Sequence, residues 1–112
     1  MAYSTYIPTL EEIRSIKAAT KERIRRDVLV HIGNLMEIRA NQNLSLCIVD
    51  LKKWTEGLEL SDINFVQNTL RDLGYMTKWD EPKLIISWSD EEVAALQEMK
   101  DNNINWKFSP AD

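Results

Sequence analysis

His31 and Cys47 are each the only residue of their type in the 112-residue chain, so any nucleophile–base chemistry would have to start from them. A thiol and an imidazole form a working pair only within hydrogen-bond reach, with a third group orienting the base. His31 lies between Val30 and Ile32 in a helix-like run, and adjacent helical positions do not share a face. Its place is the edge of an apolar stripe, where a histidine packs or meets solvent. Cys47 has Leu46 and Ile48 as neighbours in a strand-like run, where a thiol is buried and inert. Asp80-Glu81 and Asp90-Glu91-Glu92 are the candidate cation ligands, since hard cations gather carboxylate oxygens. The first group belongs to turn sequence before Pro82, and the second to the first turn of a helix. Gly33, Gly57 and Gly74 are too scattered to cradle a phosphate. The expectation is therefore no catalytic residue, no metal site, no cofactor and no enzyme.

The remaining chemistry is electrostatic. Residues 14–26, RSIKAATKERIRR, hold six basic residues and one acid, whereas residues 44–112 hold seven basic and thirteen acidic residues. A basic helix on an acidic body, at net charge −4, offers a surface to an anionic partner, protein or nucleic acid. Arg14, Lys17, Lys21 and Arg25 are the candidate contacts, with Arg23 and Arg26 beside them. The competing reading is a solvated helix face. A single cysteine excludes an intrachain disulfide and a four-cysteine zinc site, and suits a reducing compartment. No apolar run approaches the ~20 residues of a membrane span. The N-terminus lacks a basic head followed by an apolar run, so no secretory signal is expected.

The elements that must carry these residues follow from periodicity. Residues 1–9 read as an extended lead. Thr9 and Glu12 form a capping box for a long helix whose stripe runs Ile13, Ile16, Ile24, Val28, Ile32, Leu35 and Ile38. It ends between Ala40 and Asn43. A continuous helix over 10–40 would be roughly 45 Å long, so it either breaks near Thr20 or Gly33 or projects beyond the core. LSLCIVD, 44–50, predicts a strand whose strongly apolar face is Leu44, Leu46 and Ile48. LKKWTEGLEL is ambiguous between short helix and loop. Ser61 is the expected N-cap of a second helix with stripe Ile63, Val66, Leu70 and Leu73, ending at Gly74 in the manner of a C′ glycine.

YMTKWDEPKLIISW, 75–88, predicts a β-hairpin, with Leu84, Ile86 and Trp88 on one face. Ser89 and Glu92 cap a third helix over Val93, Leu96 and Met99, and 101–103 end it. INWKF alternates Ile104, Trp106 and Phe108 against Asn105 and Lys107. Residues 104–112 therefore predict a final strand or a docking tail, and these three residues join the candidate partner contacts.

The fold class is α+β: a long N-terminal helix and a small three- to four-stranded antiparallel sheet with helices on one face, in a single domain over 10–103. A winged-helix-like topology is the alternative, because helix followed by hairpin ends such folds. The second helix would then read nucleic acid with Asp62, Asn64, Gln67, Asn68, Arg71 and Asp72, a face with one base and two acids. The hairpin tip, Asp80-Glu81, would repel phosphate. The basic first helix is the better nucleic-acid surface.

Ser45 to Asp50, then Leu73-Gly74-Tyr75, then Ile86-Ser87-Trp88, following a long helix, resemble small uncharacterised α+β domains of tailed-phage proteins. The resemblance spans roughly residues 13–88. It implies a viral, bacteriophage origin and an accessory or virion-associated role in the host cytoplasm or virion, with no catalytic residues to transfer. The leading expectation is a non-enzymatic protein-interaction module that binds a host or virion protein or itself. The alternative is a small nucleic-acid-binding regulator acting through the basic helix. No membrane is involved. Charge reversal at Lys21 and Arg25 is expected to weaken partner binding with the fold intact.

Overall fold

Thr9 opens the first helix as its sequence predicts: its Oγ1 accepts the amide of Glu12 at 3.2 Å, and Glu11 and Glu12 complement the dipole of the first turn. The computed structural model describes residues 7–52 and 58–108. Residues 1–6 of the predicted lead, the middle of LKKWTEGLEL (53–57) and the tail end 109–112 lie outside the described residues. In chain order the elements are α1 (Leu10–Asn41), β1 (Leu46–Asp50), α2 (Leu60–Asp72), β2 (Met76–Asp80), β3 (Lys83–Ser87) and α3 (Asp90–Asp101).

α1 is unbroken through both Thr20 and Gly33. Its 32 residues are about 48 Å long at 1.5 Å per residue, and the molecule measures 63 × 33 × 20 Å. Only its C-terminal half has a core to pack on. Val28 and Ile32 are buried, with Ile24, Leu29, Leu35 and Met36 around them. Residues 10–19 are exposed throughout.

The three helices among the described residues stop with one hydrogen-bond pattern. The amide two residues past the C-cap returns to the carbonyl three residues inside the helix: Leu44 to Arg39, Tyr75 to Leu70 and Ile104 to Met99. The pattern needs a left-handed residue between them. Asn43 (φ 62°), Gly74 (φ 100°) and Asn103 (φ 54°) supply it.

The three strands form an antiparallel sheet in the order β1-β3-β2. The last strand in sequence is therefore the middle one in space. β2 and β3 make the predicted hairpin, with Asp80 opposite Lys83 and the Glu81-Pro82 peptide cis. Across the inner face Ile86 lies between Cys47 and Thr77, and Leu84 between Val49 and Trp79. Val28, Ile32, Ile63, Val66 and Leu70 of α1 and α2 complete that core, so both helices cover this one face.

Two expectations need correction. β1 buries Cys47 and Val49 and leaves Leu46 and Ile48 outside, 45% and 51% exposed. The predicted apolar face is the outer one. Strand side chains alternate strictly, so one residue of phase decides everything. Leu51 continues the phase of Cys47 and Val49 and is fully buried, whereas Asp50 continues that of Leu46 and Ile48 and is exposed. Ser61 is not the N-cap of α2 but lies buried within it. Glu59 is the cap, its amide bonded to Asp62 Oδ2 at 2.9 Å.

The strand phase has a direct test. Ile48→Lys should change stability by no more than about 0.5 kcal/mol, as for an exposed site, whereas Val49→Lys should cost more than about 4 kcal/mol by burying an unpaired charge. Urea unfolding followed by tryptophan fluorescence measures both; equal losses would refute the assigned phase.

Candidate interaction surfaces

The basic face predicted on α1 divides into two parts. Lys21 and Arg25 turn inward. Arg25 Nε donates to Asp62 Oδ1 at 2.6 Å, and Asp62 is only 1% exposed. Lys21 Nζ stands 3.8 Å from the same oxygen, 3.3 Å from Glu59 Oε2 and 3.4 Å from Ser61 Oγ. The Arg25 guanidinium also lies over the Phe65 ring at 4.5 Å. These two cations fasten α1 to the N-terminus of α2, where the carboxylates of Glu59 and Asp62 attract them against the positive end of the helix dipole. The expectation that reversing their charge spares the fold is therefore corrected: it would set a carboxylate against the buried Asp62.

Arg14 and Lys17 lie one to two turns earlier, on the half of α1 that projects from the body, and are exposed. Leu10, Ile13 and Ile16 share this arm; Ile13 and Ile16 are 47% and 57% exposed. Its surface thus combines cations with large apolar side chains. Arg23 and Arg26 are also exposed, farther along the helix.

The predicted tail is held by α2. Asn68 grips one residue with both ends of its amide: Nδ2 donates to Phe108 O at 2.7 Å, and Oδ1 accepts Phe108 N at 2.8 Å. Arg71 Nη1 donates to Trp106 O at 2.8 Å, and its guanidinium stacks on the Phe108 ring at 4.5 Å. The rest of Arg71 points into the protein, with Nε to Thr77 Oγ1 at 3.0 Å and Nη2 to Thr77 O at 2.8 Å. Thr77 Oγ1 in turn donates to Gln67 Oε1 at 3.0 Å. Burial pushes the Arg71 guanidinium below its ordinary pKa. Among the described residues no carboxylate lies within ion-pair distance of it. Lys100 and Lys107 stand over the Trp106 ring at 4.6 and 5.2 Å, and Lys107 reaches Asp72 at 3.3 Å. Trp106 and Phe108 are consequently half-buried, while Ile104 remains exposed. Residues 104–108 join no strand, so the sheet stays at three.

This packing corrects the picture of α2 as a solvent-facing reader. Asp62, Gln67 and Arg71 are 1%, 2% and 7% exposed, because the sheet covers one side of α2 while α1 and the tail cover the other. Side chains engaged in this way cannot enter a groove of nucleic acid.

Two other surfaces are open. The outer sheet face carries Leu46, Ile48, Ile85 and Met76 in adjacent strands, bordered by Lys83 between Asp50 and Asp80. A cleft of about 560 Å³ lies between α1 and the C-terminal end of α2, lined by Ile32, Met36, Leu70, Leu73, Tyr75 and Trp88. Tyr75 and Trp88 meet edge to face there, with centroids 6.3 Å apart. Cys47 is buried, and desolvation raises its thiol pKa against a smaller opposing effect of Arg39. His31 is half-buried on α1. Among the described residues no cluster of His, Cys, Asp and Glu is placed to hold a metal ion, and no helix is long and apolar enough to cross a membrane.

Sequence reasoning found the arm and the tail but missed Asn68 and Arg71 as the groups that hold the tail. Their i, i+3 spacing places them together, but the charge pattern of α2 read them as solvated. Comparison with protein-family models, curated proteins and solved structures found no match.

Asp62→Ala should cost about 3 kcal/mol, because it leaves two cations and the Glu59 amide without their buried acceptor. Arg25→Ala should cost less, since water reaches the guanidinium. The double variant should be less unstable than the sum, which urea unfolding of the four chains measures. Strict additivity would mean that the pair does not couple.

Proposed function

We propose that the chain is a non-enzymatic protein-interaction module, a phage accessory or virion-associated protein, whose projecting α1 arm engages an acidic surface of a protein partner. The observation that carries this reading is the division of the basic residues. Lys21 and Arg25 are spent inside the fold, whereas Arg14 and Lys17 stand free of the body beside exposed Ile13 and Ile16. Exposed cations alone would suit any polyanion. Large apolar side chains interleaved with them favour a protein surface, where they can be buried. The chemistry of the lone cysteine also fits: burial raises the Cys47 thiol pKa, which suits packing rather than attack. The phage assignment rests on the resemblance of Ser45 to Asp50, Leu73-Gly74-Tyr75 and Ile86-Ser87-Trp88 to tailed-phage domains.

The nucleic-acid alternative uses the same arm, and the exposure of Arg14, Lys17, Arg23 and Arg26 favours it as the second reading. Titration of generic duplex DNA separates the two. A phosphate-binding arm gives binding at low salt that falls steeply as salt rises. The expected result is no binding even at low salt, together with a protein adduct from a photo-crosslinking residue at position 13 that Arg14→Glu/Lys17→Glu abolishes. A steep salt slope on DNA, or an adduct indifferent to the charge reversal, would overturn the protein reading.

A further inference from the structure

The contacts that hold the tail are made to its backbone. Asn68 bonds the amide and carbonyl of one residue, Phe108, and Arg71 bonds the carbonyl two residues earlier, at Trp106. The chain bends at Lys107, and the Trp106 carbonyl and both backbone groups of Phe108 meet the same side of α2. The three bonds therefore read a short bent backbone, and backbone bonds accept any side chain. Selectivity comes from two neighbours: the Arg71 guanidinium over the ring at 108, and Asp72 beside the cation at 107.

The tail's own side chains fill this arrangement incompletely. Trp106 and Phe108 are only half-buried, and Lys107 and Ile104 are 52% exposed. The α2 side is firmer. Arg71 is held by Thr77, which Gln67 also engages, so its Nη1 donor stays aimed at the tail whether or not the tail is there. A fixed donor facing a half-buried strap has the form of a binding site occupied in cis. The tail leaves α3 directly at Asn102, so its effective concentration at the site is high, on the order of millimolar for so short a connection.

We infer that Asn68, Arg71 and Asp72 form a recognition site for a short peptide of a partner protein, bent at a central cation with an aromatic residue on either side, and that residues 104–108 hold this site shut. The site takes backbone by the Asn68 amide and the Arg71 donor, and an aromatic side chain by the guanidinium face. A partner segment displaces the tail by burying its aromatics more fully than Trp106 and Phe108 do. The inference uses the interaction-module reading only in supposing a partner in trans. It involves a surface separate from the arm, so failure of either leaves the other standing.

The test uses the full chain and a fluorescent, end-capped pentapeptide with the sequence of residues 104–108. Trp106→Ala/Phe108→Ala in the full chain loosens the strap without touching the site. The peptide should bind this variant at least about tenfold more tightly than it binds the parent chain, because the cis competitor is gone. Adding Asn68→Ala should remove that gain. Lys107→Glu, an exposed change that sets two acids together, is a gentler opener and should give an intermediate affinity with the fold retained.

Hydrogen exchange of the parent chain gives an independent reading. The Phe108 amide, held by Asn68, should exchange through a local opening faster than the amide of buried Ile86. Equal peptide affinity for parent and opened chains, no binding to either opened chain, or Phe108 protection equal to that of Ile86 would overturn the inference.

Discussion

A single buried carboxylate organises the helical layer. Asp62 takes the Glu59 amide on one oxygen and the Arg25 guanidinium on the other, with Lys21 close by. It therefore sets where α2 begins and also where α1 must pass. Buried ion pairs seldom add net stability over an apolar alternative, but they are intolerant of misplacement, because a lone buried charge is costly. Two helices that could slide along each other on Ile24, Val28 and Leu29 are held in one register by this contact. Residues 10–19 of α1 then have no surface beneath them.

The projecting arm is thus a geometric result of that register combined with helix length. A body 33 × 20 Å across cannot underlie a helix of about 48 Å. The same register turns α2 into an interior element. It is covered by the sheet on one side, by α1 near its start and by the tail near its end, which leaves the arm, the outer sheet face and the cleft by Trp88 as the outward chemistry. Arg71 closes the other end of α2 as Asp62 closes the first. One is an anion held by cations; the other is a cation held by carbonyls, a hydroxyl and an aromatic ring.

Local order was legible wherever one principle acted alone. The capping sequences at Thr9 and Ser89, the glycine at 74 and the hairpin around Pro82 each carry a short-range instruction that tertiary packing does not contest. The phase of β1 was contested. Leu44, Leu46 and Ile48 outweigh Cys47 and Val49 on hydrophobicity, and only the flanking Asp50 and Leu51 reveal which side faces the helices. The fates of Lys21, Arg25, Asn68 and Arg71 were hidden for a different reason. The partners of Lys21, Arg25 and Asn68, and the Trp106 carbonyl that Arg71 reaches, lie 35 to 41 residues away in sequence, and a charge pattern says nothing about what a fold brings opposite it. Trp106 and Phe108 stood out as an alternating pair, but whether such a pair joins a sheet depends on whether an edge is within reach, and here α2 is nearer.

The sheet order β1-β3-β2 has a consequence for how the chain is made. The central strand is the last one synthesised. β2 and β3 are joined by a tight turn and can pair as soon as both exist, but β1 must wait for β3, and Leu46 finds its partner Ser87 only across the whole of α2 and β2. During synthesis, at about 5–20 residues per second, the inward faces of Val28, Ile32, Cys47 and Val49 remain without their central strand for seconds. Neither β1 nor β2 has a strand to pair with until residues 83–87 are made.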